Sequence, residues 1–142
     1  MKQPKNKIEY LYGIIEDCVE SLEEHHAVFE HSYKTDEELK TRCAVEKTAG
    51  ASCFNKGVDV AEKIADIIYD SVDIIPWLKS TVNDPLRIVV EEEACGKKFL
   101  KDKKHNWDEG ALICNKVVLL LGKEVDEANC LIRMYVITCY AE

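Results

Sequence analysis

Apolar residues recur at steps of three and four along the N-terminal half of the chain, a pattern that predicts three amphipathic helices. The first covers residues 5–31. The second begins at Thr35, whose hydroxyl caps it ahead of a run of acids, and extends to about residue 48. The third covers residues 52–73. The expected buried positions are Ile8, Leu11, Ile15, Cys18, Leu22 and Phe29 in the first helix, and Val58, Ala61, Ile64, Ala65, Ile68 and Val72 in the third.

Helix start and stop signals divide the C-terminal half in the same way. Asp84 followed by Pro85 is a typical helix start, and Gly96 a typical stop, so we expect a fourth helix over residues 85–95. A fifth helix is expected from Asn106 or Asp108 to about residue 121, with Gly122 beyond it. The last segment, "EVDEANCLIRMYVITCYAE", begins with helix-forming residues and is interpreted as a sixth helix.

Five or six helices with short connections predict an all-α fold, a single-domain bundle over residues 1–142. The alternative is an α+β fold with strands near residues 86–90 and 131–140. The stretches "LRIVV" and "MYVITCY" support that alternative, because β-branched and aromatic residues are typical of strands. The chain has only three prolines and six glycines, and this scarcity favours long helices.

The seven cysteines indicate in which cellular compartment the protein functions. None forms a C-x-x-C pair, and most lie within apolar runs, so we expect reduced and mostly buried thiols. No stretch approaches the roughly 20 apolar residues that span a bilayer, and the first residues lack the apolar core of a secretory signal. A cytoplasmic protein is expected.

The net charge of −8 narrows the class of partner. Such a surface repels nucleic acids and anionic membranes, and it attracts a basic protein. Two lines of acids are the candidate partner-binding residues: Glu16, Glu20, Glu23 and Glu24 on the first predicted helix, and Asp59, Glu62, Asp66, Asp70 and Asp73 on the third. Like charges at helical spacing destabilise an isolated helix by a few tenths of a kcal/mol per pair. Their presence indicates a role outside the helix itself.

A metal site is the second hypothesis. Glu23 and His26 stand three residues apart, which is the Glu-x-x-His spacing of di-metal carboxylate bundles, and Glu30 falls on the same helical face. The second half of such a site is missing from the sequence. The remaining candidate, His105, follows a lysine-rich stretch that would oppose a cation. The favoured interpretation is therefore a solvated acidic face, with no metal and no cofactor.

No catalytic motif is present. The sequence contains no G-x-G-x-x-G, phosphate-binding loop, G-x-S-x-G or H-E-x-x-H pattern. The triplet Glu91, Glu92 and Glu93 lacks the further acid that a magnesium-dependent pyrophosphohydrolase would place three residues on. Buried thiols are poor nucleophiles because burial raises their pKa. We therefore do not expect an enzyme.

By elimination, the sequence predicts an interaction protein. A small acidic chain without catalytic motifs fits an inhibitor of a basic protein, such as an immunity protein or antitoxin that neutralises a nuclease toxin, or a phage-encoded inhibitor. Two alternatives stay open: a metal-binding helical bundle that uses Glu23, His26 and Glu30, and a structural subunit that packs through an apolar helix face.

Overall fold

A computed structural model describes residues 7–25, 30–45, 50–101, 105–128 and 130–142. Its centre is a curled antiparallel sheet of four strands in the order β1-β2-β3-β4, each paired with the next along the chain. The strands are β1 (Gly50–Phe54), β2 (Leu86–Leu100), β3 (Leu112–Val125) and β4 (Leu131–Ala141).

Four α-helices accompany the sheet in the described residues. They are α1 (Lys7–Glu20), α2 (Asp36–Val45), α3 (Val60–Asp70) and α4 (Ile74–Lys79), with single 3₁₀ turns at Leu22–Glu24 and Trp107–Glu109. The fold is therefore α+β, and the predicted all-α bundle is wrong. The alternative that placed strands near residues 86–90 and 131–140 identified the correct fold class.

The predicted fourth, fifth and sixth helices are strands because their long apolar runs pair with one another. Val90 lies opposite Val117, and Val118 opposite Tyr140, so β-branched and aromatic side chains of adjacent strands pack together. Gly96, interpreted as a helix stop, lies instead where β1 and β4 approach β2. A Cβ at this position would overlap the backbone of Cys53 and the side chain of Ala141.

The first and third predicted helices are shorter than expected, whereas the predicted end of the second, near residue 48, lies outside the described residues. The first ends at Glu20 rather than near residue 31, and the third begins at Val60 because residues 50–54 form β1. The predicted cap at Thr35 is confirmed. Its hydroxyl accepts the N–H of Glu38 at 3.2 Å, and its own N–H donates to the Glu38 carboxylate at 3.1 Å, a reciprocal capping box.

Two hydrophobic clusters hold the helices on the sheet. The larger one joins the buried faces of α1, α3 and α4 to the inner residues of the strands, such as Val117, Leu119 and Val136. The smaller cluster packs α2 against β1 and β2, and Phe99 is its largest side chain: Leu39, Cys43, Ala51, Cys53 and Phe99. The chain's own sheet thus covers much of the apolar stripes of the first and third helices, but two positions predicted as buried are exposed: Ile8 at 49% and Val72 at 84%.

Lys123 of β3 fixes the short helix α4. Its ammonium is buried and donates to the carbonyl oxygens of Trp77 at 2.6 Å and Ser80 at 2.9 Å, where α4 ends. A cation at this end of a helix is favourable because the helix dipole is negative there. Burial lowers the pKa of Lys123. The contact anchors the C-terminal end of α4, and the loop before this helix forms part of the candidate site.

Six of the seven cysteines are buried and Cys130 is partly exposed, and all seven are free thiols. Burial raises the pKa of Cys18 to about 11, and those of Cys114 and Cys139 to about 12. None of the helices in the described residues is both long and apolar enough to cross a membrane.

Thiol labelling at pH 8 is expected to modify Cys130 first and the six buried cysteines only slowly, because the thiolate is the reacting species and burial suppresses it. Mass spectrometry against time would count the modified thiols, and unfolding in guanidinium should expose all seven. Cys130→Ser is the matched control and should abolish the fast phase. Rapid labelling of several thiols in that variant would contradict the structure.

Candidate functional site

The start of α3 uses two of the predicted acids for local structure. Asp59 is the N-cap residue, and its carboxylate accepts the backbone N–H of Glu62 at 3.1 Å. Glu62 lies in the first turn, where a negative charge is favourable because the helix dipole is positive at that end. Both residues therefore have a structural explanation that requires no partner.

The acids toward the end of α3 differ from those at its start, because they have no such structural role. Asp66 and Asp70 are both exposed, and no basic residue lies in the last turn. A carboxylate near the C-terminus of a helix is unfavourable because the dipole there is negative. Neither carboxylate forms an ion pair within the described part of the chain. The charge of Asp70, in the last turn, therefore destabilises α3, and neither carboxylate gains an ion pair in return among the described residues.

Asp73 requires a correction. It was predicted on the same helix as Asp66 and Asp70, but α3 ends at Asp70 and Asp73 occupies the N-cap position of α4. Its carboxylate makes no capping hydrogen bond. The expected repulsion between like charges along one helix therefore applies to Glu62, Asp66 and Asp70, which follow one another at four-residue steps, and not to Asp73.

A groove of about 490 Å³ lies beside this acidic end, between α3, the loop before α4, and strands β2 and β3. Apolar side chains form part of its lining: Ile67, Val72, Ile88, Val90 and Val117. Four carboxylates border it: Asp66, Asp70, Asp73 and Glu92. Val72 is 84% exposed and Val90 is 36% exposed, so apolar surface at this groove is open to solvent. We call this feature the acidic groove.

In the part of the chain that the structure describes, one cation lines the acidic groove. The ammonium of Lys63, on α3, lies 2.7 Å from both carboxylate oxygens of Glu92, on β2. This ion pair joins the helix to the sheet. Glu92 is also the residue that sequence reasoning missed, because the triplet of glutamates was considered only as a magnesium site.

A β-bulge positions Glu92. The pairing of β2 with β3 shifts between Glu91 and Gly96, and Ala94 within the bulge has a φ of 51°, a conformation that few residues other than glycine adopt. Two asparagine side chains hold it: Asn55 donates to the Ala94 carbonyl oxygen at 2.5 Å, and Asn115 accepts the Ala94 N–H at 2.8 Å. Both asparagines precede a lysine after an apolar stretch, the one signal in the sequence that marked them.

The acids of α1 adjoin those of α3 through Tyr69. The Tyr69 hydroxyl donates to the Glu16 carboxylate at 2.8 Å, and this hydrogen bond, with the nearby charges of Glu16 and Glu20, raises the pKa of Tyr69. Glu16 and Glu20 therefore extend the acidic surface from the groove across α3 to α1. Glu23 and Glu24 are exposed on the following 3₁₀ turn, which packs against α3.

Of the residues of the metal hypothesis, Glu23 and Glu30 lie within the described ranges. Glu23 lies on the 3₁₀ turn, after α1 has ended, so the expected helical spacing to His26 is not that of one continuous helix. His26 itself is outside the described residues. Glu30 lies 3.9 Å from the guanidinium of Arg42. Within the described ranges, no group of three or more His, Cys, Asp or Glu side chains is arranged to hold a metal ion.

Two other histidines, His31 and His105, form contacts that have a structural role. His105 is buried: its Nδ1 accepts the N–H of Leu100 at 3.0 Å, and its Nε2 donates to the carbonyl of Gly110 at 2.9 Å. His31 contacts the hydroxyl of Thr138 at 3.3 Å, and burial lowers its pKa. These two rings connect loops to the sheet.

No family model and no curated protein matches the chain. Among solved structures, a chain of the CdiA-CT/CdiI complex from Y. kristensenii 33638 is similar to it, with a TM-score of 0.63 and 17% sequence identity. The similarity covers 83% of this chain and 99% of that one. The two chains therefore share a fold.

Proposed function

We propose that this protein is a non-enzymatic inhibitor of the immunity-protein type, which binds a basic protein partner such as a nuclease toxin and neutralises it. The observation that carries the proposal is the acidic groove, where Asp66 and Asp70 project unpaired carboxylates from the unfavourable end of α3. The shared fold with a chain of a toxin–immunity complex supports the same class of partner.

The physical basis is electrostatic complementarity. A nuclease needs a cationic groove to hold phosphates, and a carboxylate surface can occupy that groove in place of the nucleic acid. With a net charge of −8, long-range attraction accelerates the encounter, and the oriented acids on α1 and α3 select the face that docks. Inhibition then follows from occupying the substrate path, which requires no chemistry from this chain.

The side chains most suited to catalysis support a non-enzymatic role. His31 and His105 serve packing and hydrogen bonding, as described above. The thiols of Cys18, Cys114 and Cys139 have pKa values raised by burial, which makes them poor nucleophiles. Free thiols also fit a reducing compartment, and we place the inhibitor in the cytosol.

The test is neutralisation of the product of the adjacent reading frame. That product would be expressed with and without this chain, and growth, nuclease activity and complex formation by size-exclusion chromatography would be measured. We expect growth arrest by the neighbour alone, rescue by this chain, and a stable complex of the two purified proteins. If a toxic neighbour is neither bound nor inhibited by stoichiometric amounts of this protein, the proposal is wrong.

A further inference from the structure

We propose that the acidic groove is the receptor for a lysine or arginine side chain of the partner, and that this side chain displaces Lys63 from Glu92. The inference rests on the proposed function and gives the chemistry of its central contact. In the free protein, Lys63 holds the place that the partner's cation takes in the complex.

The shape and chemistry of the groove suit a long cationic side chain. Ile67 and Val90 offer apolar surface for the aliphatic stem, while the carboxylates at the border receive the charged end. A volume of about 490 Å³ is larger than one such side chain needs, so the groove also admits neighbouring residues of the partner. A purely apolar segment would leave the border carboxylates desolvated and unpaired, which disfavours it.

The charge of the groove is incompletely balanced. Among the described residues, Lys63 is its single cation and forms its ion pair with Glu92, so the charges of Asp66, Asp70 and Asp73 have no counterpart in that part of the lining. The position of the Lys63 ammonium, equidistant from both oxygens of Glu92, shows that this wall of the groove accommodates a cation. An arginine could replace it with a bidentate contact, since the guanidinium matches a carboxylate.

The bulge keeps Glu92 in place during such an exchange. Asn55 and Asn115 hold Ala94 from two sides, so the backbone that carries Glu92 does not depend on the Lys63 contact for its conformation. Lys63 can therefore leave while the carboxylate remains oriented toward the groove.

The first test uses three acetylated and amidated tripeptides, Ala-X-Ala, in which X is arginine, citrulline or norleucine. Citrulline matches the shape of arginine and lacks its charge. Titration into ¹⁵N-labelled protein should shift the amide signals of residues 66–73 and 90–92 with the arginine peptide, and leave them nearly unchanged with the other two. Equal shifts with arginine and citrulline would overturn the assignment of a cation receptor.

The second test compares Lys63→Met with Lys79→Met. Both remove one positive charge, but Lys79 is exposed on α4 and does not line the groove. Lys63→Met should tighten arginine-peptide binding roughly two- to fivefold, the range expected from removing a surface ion pair that competes with the ligand. Lys79→Met should change it by less than about 1.5-fold. Equal tightening in both variants would overturn the exchange.

The two proposals fail in distinguishable ways. If the partner is bound and inhibited with wild-type affinity by Glu92→Gln, Asp66→Asn and Asp70→Asn variants, the inhibitor function stands and the groove receptor is wrong. If the arginine peptide binds as expected while no neighbouring toxin is neutralised, the receptor stands and its assignment to toxin inhibition is wrong. Circular dichroism of each variant would establish that the fold is retained.

Discussion

Asp66→Lys combined with Asp70→Lys is expected to slow association with the basic partner by roughly 10- to 100-fold at low salt, within the range attributed to electrostatic steering. Both side chains are exposed, and lysine near the C-terminus of α3 is favoured by the helix dipole, so the fold should be retained. The rate would be measured by stopped-flow fluorescence with the partner in excess. The defect should shrink above about 0.15 M salt, where the Debye length is roughly 8 Å.

A control of equal charge separates the local effect from the global one. Glu109→Lys with Glu127→Lys makes the same change in net charge at exposed positions that do not line the acidic groove. This variant should slow association much less. If the Asp66 and Asp70 variant associates at the wild-type rate at low salt, α3 is not the docking element, and Glu16 and Glu20 on α1 become the residues to reverse.

Phe99→Ala is expected to reduce the free energy of unfolding by about 3–5 kcal/mol, the usual range for deleting a buried aromatic ring. Phe99 is fully buried in the smaller cluster, where its ring centroid lies 5.3 Å from that of His105 and 5.6 Å from that of Trp107. Its loss leaves a cavity beneath α2. Urea denaturation followed by circular dichroism, with Trp fluorescence reporting on the Trp107 environment, would measure the change.

The graded control is Phe99→Leu, which keeps most of the apolar volume and should cost less than half as much as the alanine variant. Glu20→Ala, an exposed position on α1, should change stability by less than about 0.5 kcal/mol. Comparable losses in all three variants would contradict the assignment of Phe99 to a separate, tightly packed cluster. A large loss of stability in the Phe99→Ala variant, with little change in the Glu20→Ala variant, would support it.

The helices were predictable where their signals are local. The stripe of Leu11, Ile15 and Cys18 and the capping box from Thr35 to Glu38 lie within one or two turns of chain, so spacing and residue type suffice to place α1 and α2. The ends of the helices were predicted less well than their positions. The predicted first helix continued to residue 31 because its apolar spacing continued, whereas the chain turns at Ser21 to bring Leu22 into the core.

The strands were misassigned because their defining contacts are remote in sequence. Asp84 with Pro85, and Gly96, resemble helix boundaries when the stretch between them is considered alone. In the fold, Arg87 pairs with Leu120 and Leu119 pairs with Cys139, and such partners are identified only once the sheet has formed. Edge-to-edge pairing overrides local start and stop signals, since each strand then satisfies its backbone hydrogen bonds.

The same distinction between local signals and contacts remote in sequence applies to the candidate site. The acidic charge and the exposed positions of Asp66 and Asp70 follow from helical spacing, so the sequence by itself determined them. Spacing also places Lys63 one turn before Asp66, and only the tertiary structure pairs this lysine with Glu92 instead. The groove did not follow from spacing. Glu92, Val90 and Val117 meet α3 only because the sheet packs beneath it, and Asn55 and Asn115 approach Ala94 only across paired strands. Charge patterning is a local property, whereas a cavity exists only between elements that tertiary packing has brought together.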